Sequence, residues 1–383
     1  MINSEQPEMK SHRKIRVVMA VTNDLVSDNR VNKIALTLMD MGFEVTLAGR
    51  KFNSDKTSLS RAYHTRRFSL CFNKGPLFYA NYNIRLFLYL LFNRFDVIVS
   101  NDLDTLPACF YASRILGKPI VYDSHEYFTE VPELIGRPKV KSIWERIERR
   151  IVPKLNHCYT VCQSIADIYN SKYGTTFRVV RNIPFKLNDL NDKGIVPPFP
   201  TDKPVVIYQG AINLGRGIEE AILAMHQLGN VNLVIIGQGD LIDDCKKLAK
   251  DEGLTNRVIF TGRVPFDELN KITRFASIGL SVEKDMGLNY RYALPNKVFD
   301  YIQSEVPLLV SSLPEIRRVV ECYNVGFVIN DTIPEAIANG IKLMLFDVDS
   351  YQLWKENCRK AKEFLCWENE REVVISIYQP FII

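Results

Sequence analysis

The segment YALPNKVFDY (292–301) places a proline, an amide and a cation directly ahead of an apolar-periodic run, with a carboxylate about one turn later. Proline is favoured in the first turn of a helix, and the N–H groups and dipole of a helix N-terminus attract anions. Lys297 would add a positive charge beside Asn296, and Asp300 could accept hydrogen bonds from sugar hydroxyls. The segment fits a well-started helix or a site for a ligand that carries phosphate and sugar, and on its own it favours the helix.

A second candidate anion site follows a predicted strand in YQGAINLGRGIEE (208–220). Gly210, Gly215 and Gly217 would let backbone N–H groups approach a phosphate, and Arg216 would add a cation. The spacing differs from GxGxxG, and glycine loops between strand and helix are common, so this loop alone is a weak indication. VIIGQGD (234–240) also ends in glycines, and the convergence of such strand ends on one sheet edge indicates a shared phosphate or nucleotide site.

Two segments of the front half carry residues suited to acid–base or metal chemistry. VYDSHEYFTEVPEL (121–134) ends a predicted strand with His125, a position suited to proton transfer, although a histidine held within its loop fits equally well. NDLDT (101–105) has a D-x-D spacing that could hold a divalent metal. Asp104, ahead of a threonine and a proline, fits a helix cap better, so we expect no metal site.

Charge is distributed unevenly along the chain. The first 200 residues hold 29 Lys or Arg and 19 Asp or Glu, a net +10, whereas the remainder holds 20 and 25, a net −5. A basic front half suits an anionic membrane or lipid carrier, and we find no recognised nucleic-acid motif. SIWERIERRIVPK (142–154) predicts a basic amphipathic helix, which could lie on a membrane but is more often an ordinary surface helix. IRLFLYLLF (84–92) is too short to span a bilayer and predicts a helix buried against a sheet.

The order of the predicted elements indicates an α/β protein. At 383 residues, 46% hydrophobic and 24% charged, the chain is expected to form two globular domains. Alternating strands and helices predict two doubly wound, Rossmann-like domains that face a central cleft. Residues 186–203, polar and then proline-rich, predict a linker between domains at 13–185 and 204–366. The polar first dozen residues predict a tail, and eight scattered cysteines without metal spacing favour a reduced, cytoplasmic chain.

In their order along the chain, these segments resemble the retaining glycosyltransferases of the GT-B fold, in the large group numbered family four. SDNRVNKIALTLMDMGFEVTLAG (27–49) resembles the family's opening D-x-RV helix, VYDSHEYFTEVPEL its D-x-HE segment, and VVRN (179–182) the V-x-x-N that ends its first domain. YQGAINLGRGIEEAI resembles its loop of glycines and a basic residue. VIFTGRVPFDEL, LPNKVFDYIQSEVPLLVSS and FLCWENE also match. Each motif is modest, but the similarity spans nearly the whole chain.

The resemblance implies a metal-independent, hexosyltransferase-type enzyme that moves a sugar from a nucleoside-diphosphate sugar to a glycan or lipid-linked hydroxyl. It implies a bacterial surface polysaccharide or lipid-linked oligosaccharide as product, and a peripheral contact with the inner face of the plasma membrane. A C-terminal helix, 367–383, is expected to pack back on the first domain. His125 and Glu283 are the implied catalytic residues. The implied donor-binding residues are Gly210, Arg216, Gly217, Asn296, Lys297 and Asp300.

The chain departs from the family pattern at several positions. The early basic position of the glycine loop holds Ala211, and Lys297 is expected to supply a substitute cation. The second acid of the family's E-x7-E pair corresponds to Asp300, and the first to Glu283, with a longer spacing that includes DMGLNYRYALPNK. Glu305 stands where the family has a glycine.

Two other functions are compatible with the sequence. A nucleotide-sugar 2-epimerase would use the same fold, and only His125 and Glu283 are visible candidates for its acid–base residues. A non-catalytic nucleotide-binding module is suggested by Ala211 and by the stretched acidic pair. Turnover without an acceptor would indicate the first, and nucleotide binding without transfer would indicate the second.

Overall fold

The structure is a computed structural model and describes residues 13–26, 28–52, 60–187 and 196–382. The predicted tail, residues 1–12, and residues 188–195 of the predicted linker lie outside the described residues. The chain forms two compact units. The first contains the described residues up to Ser124, Arg146–Cys158 and the residues from Val373 onward, and the second contains His125–Glu145 and Tyr159–Glu372. The predicted domain limits stay a prediction.

Within the described residues, the first sheet has seven strands in the order β3-β2-β1-β4-β5-β6-β7. Its strands are β1 Arg16–Ala20, β2 Glu44–Lys51, β3 His64–Ser69, β4 Val97–Asn101, β5 Ile120–Ser124, β6 His157–Thr160 and β7 Phe177–Val179. The accompanying helices are α1 Asn29–Asp40, α2 Gly75–Phe92, α3 Leu106–Leu116, α4 Pro138–Ile151 and α5 Gln163–Tyr173. Since β1 pairs in parallel with both β2 and β4, the winding of the sheet reverses at β1.

The second sheet has six strands among the residues described, in the order β10-β9-β8-β11-β12-β13. Its strands are β8 Val205–Gln209, β9 Asn232–Ile236, β10 Val258–Gly262, β11 Ile278–Ser281, β12 Leu308–Ser311 and β13 Gly326–Ile329. Its helices are α6 Ile218–Ala224, α7 Ile242–Asp251, α8 Phe266–Thr273, α9 Leu288–Arg291, α10 Asn296–Gln303, α11 Pro314–Tyr323, α12 Pro334–Phe346 and α13 Val348–Ala361. A last helix, α14 Trp367–Tyr378, begins in the second unit, and its residues from Val373 onward belong to the first. β8 pairs in parallel with β9 and β11, so the winding reverses at β8. The predicted doubly wound fold class is confirmed.

Continuous apolar runs form the central strands because both faces of each sheet are covered by helices. Every residue of β8 and of β9 is buried, as the unbroken runs VVIYQ and NLVII predict. The carboxyl end of β8 leads directly into the glycine loop at Gly210. The buried sheet therefore holds this loop at the edge where doubly wound folds bind their ligands.

Helix α10 is fixed against the second sheet by its apolar residues. Val298, Phe299 and Ile302 are fully buried in the core of this unit. The Tyr301 hydroxyl donates to the Ile207 carbonyl at 3.1 Å and accepts from the backbone N–H of Gln209 at 3.2 Å. These contacts fix α10, the helix that carries Lys297 and Asp300, against strand β8.

The prediction of a buried helix at residues 84–92 is correct for only one face of helix α2. Phe78, Tyr82, Leu86 and Leu90 pack inward, in agreement with the prediction for one face. The opposite face remains exposed, and its largest apolar side chains are Leu77 (58% exposed), Ile84 (59%), Leu88 (46%) and Phe92 (82%). Eight of the nine residues of the run are apolar, so its periodicity could not show that only one face is covered. Among the described residues, none of the helices combines the length and apolar character that crossing a bilayer requires.

Two positions differ from the local expectation. The N-cap of α3 is Thr105, which makes no side-chain capping bond, so the predicted cap at Asp104 is wrong. Asp104 instead accepts a hydrogen bond from the Thr22 hydroxyl at 2.5 Å, because its carboxylate is turned toward the segment after β1.

Glu305, where the family has a glycine, has a φ of +59°, a conformation that L-residues rarely adopt. It pairs with Lys362 at 2.5 Å, which anchors the strained residue.

Candidate active site

The site is built around the N-terminus of α10. Pro295 is the N-cap residue in an extended conformation, and the helix runs from Asn296 to Gln303. Asn296 is exposed, whereas Lys297 and Asp300 are buried. Pro295 makes no side-chain capping bond, and the first backbone N–H groups of a helix have no partner within the helix. This end of α10 therefore presents backbone N–H donors of the kind that suit an anion, and the anion site itself stays a prediction.

Three charged side chains from separate segments meet beside this helix end. The Nζ atom of Lys297 lies 2.8 Å from Oε1 of Glu283, and Nη1 of Arg216 lies 3.9 Å from the same oxygen. The Glu283 side chain is fully buried, and the side chains of Lys297 and Arg216 are 7% and 28% exposed. The structure thus brings together the predicted catalytic Glu283 and two of the predicted donor-binding residues.

Lys297 is held without a complete set of hydrogen-bond partners. Its ion pair with Glu283 is close but is not aligned as a hydrogen bond, and both Nζ and Oε1 are buried. The ammonium group also lies 3.9 Å from the centre of the Tyr208 ring, a cation–π contact. Lys297 therefore retains donors for an incoming anion.

Glu283 is ionised despite its burial. Burial alone would raise its pKa, but Lys297, Arg216 and a hydrogen bond from the Ser281 hydroxyl together outweigh that effect and hold the pKa below its ordinary value. The Ser281 bond measures 2.8 Å. One carboxylate thus faces two cations, which leaves the cluster with a net positive charge.

The glycine loop approaches this cluster closely. Gly210 has a φ of +132°, and a Cβ at this position would lie 4.0 Å from Cε of Lys297. Gly217 has a φ of +73°, and a Cβ there would overlap the carbonyl oxygen of Val282. Glycine is required at Gly217 both by its backbone conformation and by this packing. These glycines position Arg216 at 3.9 Å from Glu283.

Asp300 is oriented by a polar chain that the sequence did not reveal. Its Oδ2 accepts a hydrogen bond from the side-chain amide of Gln209 at 3.2 Å. The amide oxygen of Gln209 accepts in turn from the Thr273 hydroxyl at 2.8 Å. All three residues are buried. The only signal in the sequence was a polar residue at the end of an apolar strand, immediately before Gly210.

The long spacing between Glu283 and Asp300 contains the short helix α9. Tyr290 on this helix donates a hydrogen bond to the Leu214 carbonyl at 2.9 Å, and the Arg216 guanidinium lies 5.3 Å from the centre of its ring. The backbone N–H of Lys284 donates to the Gly215 carbonyl at 2.8 Å. The segment that lengthens the family's acidic pair therefore lies against the glycine loop and supports Arg216.

The same segment contacts the residues that follow His125. The Asn289 side-chain amide donates to Glu126 at 3.1 Å, and its oxygen accepts from the backbone N–H of Tyr127 at 3.1 Å. Burial raises the pKa of Glu126, and the Asn289 hydrogen bond and the nearby His125 and Arg216 offset this only in part. Glu126, which directly follows His125 in the sequence, is thus a further titratable group at the site.

A separate cavity of about 340 Å³ lies in the first unit, next to the carboxyl ends of β1 and β2. Its polar lining includes Thr22, Asn23, Arg50 and Lys74. Nε of Arg50 is buried and has no hydrogen-bond partner. The guanidinium lies 4.1 Å from the centre of the Phe52 ring, a cation–π contact. Sequence reasoning missed this cationic pocket, and its signal was a basic residue at the end of the second strand.

Two family models match the chain. A model described as Glycosyltransferase Family 4 matches residues 28–184, and a model described as Glycosyl transferases group 1 matches residues 193–361. An uncharacterized glycosyltransferase of Methanocaldococcus jannaschii is 25% identical over 184 residues, which cover 46% of this chain and 45% of that protein. The alpha-D-kanosaminyltransferase of Streptomyces kanamyceticus is 23% identical over 269 residues, which cover 65% of this chain and 68% of the relative.

Solved structures of low identity share the fold. The sucrose-phosphate synthase of Thermosynechococcus elongatus superposes with a TM-score of 0.76 at 17% identity, over 96% of this chain and 99% of that chain. The Anabaena protein HepE, in complex with UDP-glucose, superposes with a TM-score of 0.74 at 13% identity, over 96% and 100%. With a Family 4 domain in its front half and a group 1 domain in its rear half, the chain belongs to the glycosyltransferases of the GT-B fold.

Proposed function

We propose that the protein is a retaining, hexosyltransferase-type enzyme that moves a sugar from a nucleoside-diphosphate sugar to a hydroxyl of a glycan or lipid-linked acceptor, without a metal. The observation that carries this proposal is the convergence of Arg216 and Lys297 on the buried Glu283 beside the N-terminus of α10. Two cations and a helix N-terminus at one strand edge suit a diphosphate. Asp300, one turn into the same helix, suits the hydroxyls of a ribose.

In the proposed complex, the diphosphate accepts hydrogen bonds from Lys297, Arg216 and the first N–H groups of α10. The incompletely partnered Nζ of Lys297 supports this arrangement. Gly210 and Gly217 leave space for the phosphates, and Asn296, exposed at the start of the helix, contacts the same group. His125 contacts the sugar near its anomeric carbon. The proximity of Glu126 to both His125 and Arg216 supports this placement.

The chemical step breaks the bond between the anomeric carbon and a phosphate oxygen, and the electron pair leaves with the diphosphate. Arg216 and Lys297 stabilise that negative charge, which is the effect that contributes most in such reactions. The acceptor oxygen forms its bond on the same face of the sugar, and its proton passes to the departing phosphate. Glu283 is held by Lys297, Arg216 and Ser281, which supports a role as a positioning counter-ion rather than as a covalent nucleophile.

A phosphate-bearing acceptor, such as a lipid-linked glycan, would suit the cavity around Arg50 and Lys74. The buried, unpartnered Nε of Arg50 supports an anionic ligand there. The basic front half supports a peripheral contact with an anionic membrane, where such an acceptor would reside.

Asp300→Ala is expected to raise the donor KM by about 10- to 100-fold, because a hydrogen bond to a charged group contributes roughly 1.5–3 kcal/mol. The protein should remain folded, since Gln209 keeps its bond with Thr273. We would measure thermal shift with UDP, GDP and ADP, and then release of nucleotide from the corresponding sugars. The wild type should be stabilised by one of these nucleotides and Asp300→Ala should not be. Asp251→Ala, an exposed aspartate on α7, is the matched control.

Three results would contradict the proposal. If no nucleotide stabilises the wild type, the diphosphate site is absent. If the donor sugar is isomerised without an acceptor, the protein is an epimerase. If a nucleotide binds but no sugar reaches any acceptor in a pooled glycan and lipid-glycan screen, the protein is a binding module.

A further inference from the structure

One face of α2 is an exposed apolar stripe. Leu77, Ile84, Leu88 and Phe92 follow one another at intervals of seven, four and four residues, which places them on one side of the helix. Each is between 46% and 82% exposed. From Leu77 to Phe92 the stripe extends about 22 Å along the helix axis. A stripe of this kind on a globular protein marks a surface that contacts a partner.

Positive charge surrounds this stripe. Residues 61–94 contain six Lys or Arg and no Asp or Glu. Lys74 precedes the helix, Arg85 lies on it, and Arg94 follows its end, all three exposed. Arg66, also exposed, lies 5.9 Å from the centre of the Tyr89 ring, so β3 adds a further cation beside α2. The apolar side chains are thus bordered by cations at both ends and along one side.

We propose that this face of α2 is a membrane-contact surface, which inserts its apolar side chains at the acyl boundary while the cations contact anionic headgroups. Helices that lie in a membrane interface combine these two features. A second copy of this chain is a poor occupant because the same cations would repel each other. The role of this surface, which would be to bring the enzyme to a lipid-linked acceptor, rests on the proposed function. The test of membrane binding requires no sugar donor.

The predicted membrane helix at 142–154 is a weaker candidate. Helix α4, Pro138–Ile151, buries Ile151 and carries the half-buried Glu145 among its basic residues. Ile143 is exposed (56%), but among the described residues of α4 it is not joined by other large exposed apolar side chains, as Leu77 and its neighbours are on α2. Ile143 therefore provides a control for the α2 surface.

The test is flotation of the full chain with vesicles of phosphatidylcholine alone or with about 30% phosphatidylglycerol. The wild type should float with the anionic vesicles and lose binding as salt is raised. Ile84→Glu/Leu88→Glu should lower the bound fraction at least about tenfold. Ile115→Glu/Ile143→Glu makes the same change in charge at two other exposed isoleucines and should stay within about threefold of the wild type. Arg85→Ala/Arg94→Ala should lower binding about tenfold on anionic vesicles without disturbing the core.

Absence of wild-type binding, or equal losses in the two glutamate variants, would overturn the inference. A dimer in light scattering that disappears only in Ile84→Glu/Leu88→Glu, without vesicle binding, would assign the stripe to a second copy. Retained thermal stability shows that each variant is folded, and the arginine variant decides the question if the glutamate variant unfolds. A chain that floats but turns over no donor keeps this inference and refutes the proposed function.

Discussion

Lys297→Met is expected to lower both the turnover of the donor and the stability of the protein. Removal of one fixed cation from a site that stabilises developing negative charge lowers kcat/KM about 10²- to 10³-fold. It also leaves Glu283 buried with only Arg216 at 3.9 Å, and breaking a buried pair lowers the free energy of unfolding by about 3–5 kcal/mol. Denaturant unfolding and nucleotide release would measure the two effects. Lys250→Met, at an exposed lysine of α7, should change neither quantity.

The double variant Lys297→Met/Glu283→Gln separates the two effects. Without the carboxylate, no buried charge lacks a partner, so most of the lost stability should return while turnover remains low. If turnover returned along with stability, Lys297 would have only a structural role and the proposed site would be wrong.

The pH dependence of stability gives a second measure of the same variant. In the wild type, the pKa of Glu283 lies below its ordinary value, so its contribution is present above that value and is lost as the pH falls through the folded pKa. In Lys297→Met, we expect burial to outweigh the remaining effects of Arg216 and Ser281 and to raise the pKa of Glu283, which would reverse the sign. The deficit in stability relative to the wild type should therefore be larger at about pH 8 than at about pH 5.

Arg216→Ala is expected to lower kcat about 10²- to 10³-fold, because Arg216 would bind the leaving group as its charge develops. Its effect on stability should be small, about 1 kcal/mol, since its side chain is 28% exposed and its pair with Glu283 is long. Single-turnover assays would separate the chemical step from donor binding. Arg216→Lys should recover part of the rate, and Arg263→Ala, at an exposed arginine after β10, serves as the control. A wild-type rate in Arg216→Ala would exclude leaving-group stabilisation by this residue.

The two sheets were predictable because their strands are continuous apolar runs between amphipathic helices. The start of α10 followed from the proline and the apolar residues after it. Residues 84–92, in contrast, are apolar except for Arg85, and only the tertiary contacts reveal which side of the helix is covered. The predicted cap at Asp104 was wrong because its carboxylate bonds with Thr22, which is distant in sequence.

The composition of the candidate site was more predictable than its connections. Motif order identified Arg216, Glu283, Lys297 and Asp300 as candidates. It could not show that Lys297 pairs with Glu283, because the spacing between them differs from the family pattern. The two residues lie close together because α9, between them in sequence, packs against the glycine loop. Gln209 and Arg50 were missed because a single polar residue at the end of a strand has no distinctive pattern.

The placement of Glu283 between two cations also bears on the resting state of the enzyme. With no substrate bound, this internal carboxylate pairs with the two cations that the phosphates would contact in the proposed complex. Under the proposed function, an arriving nucleotide sugar would compete with this carboxylate for the two cations, which would lower its affinity. After the reaction the carboxylate would pair with both cations again and so speed release of the nucleoside diphosphate.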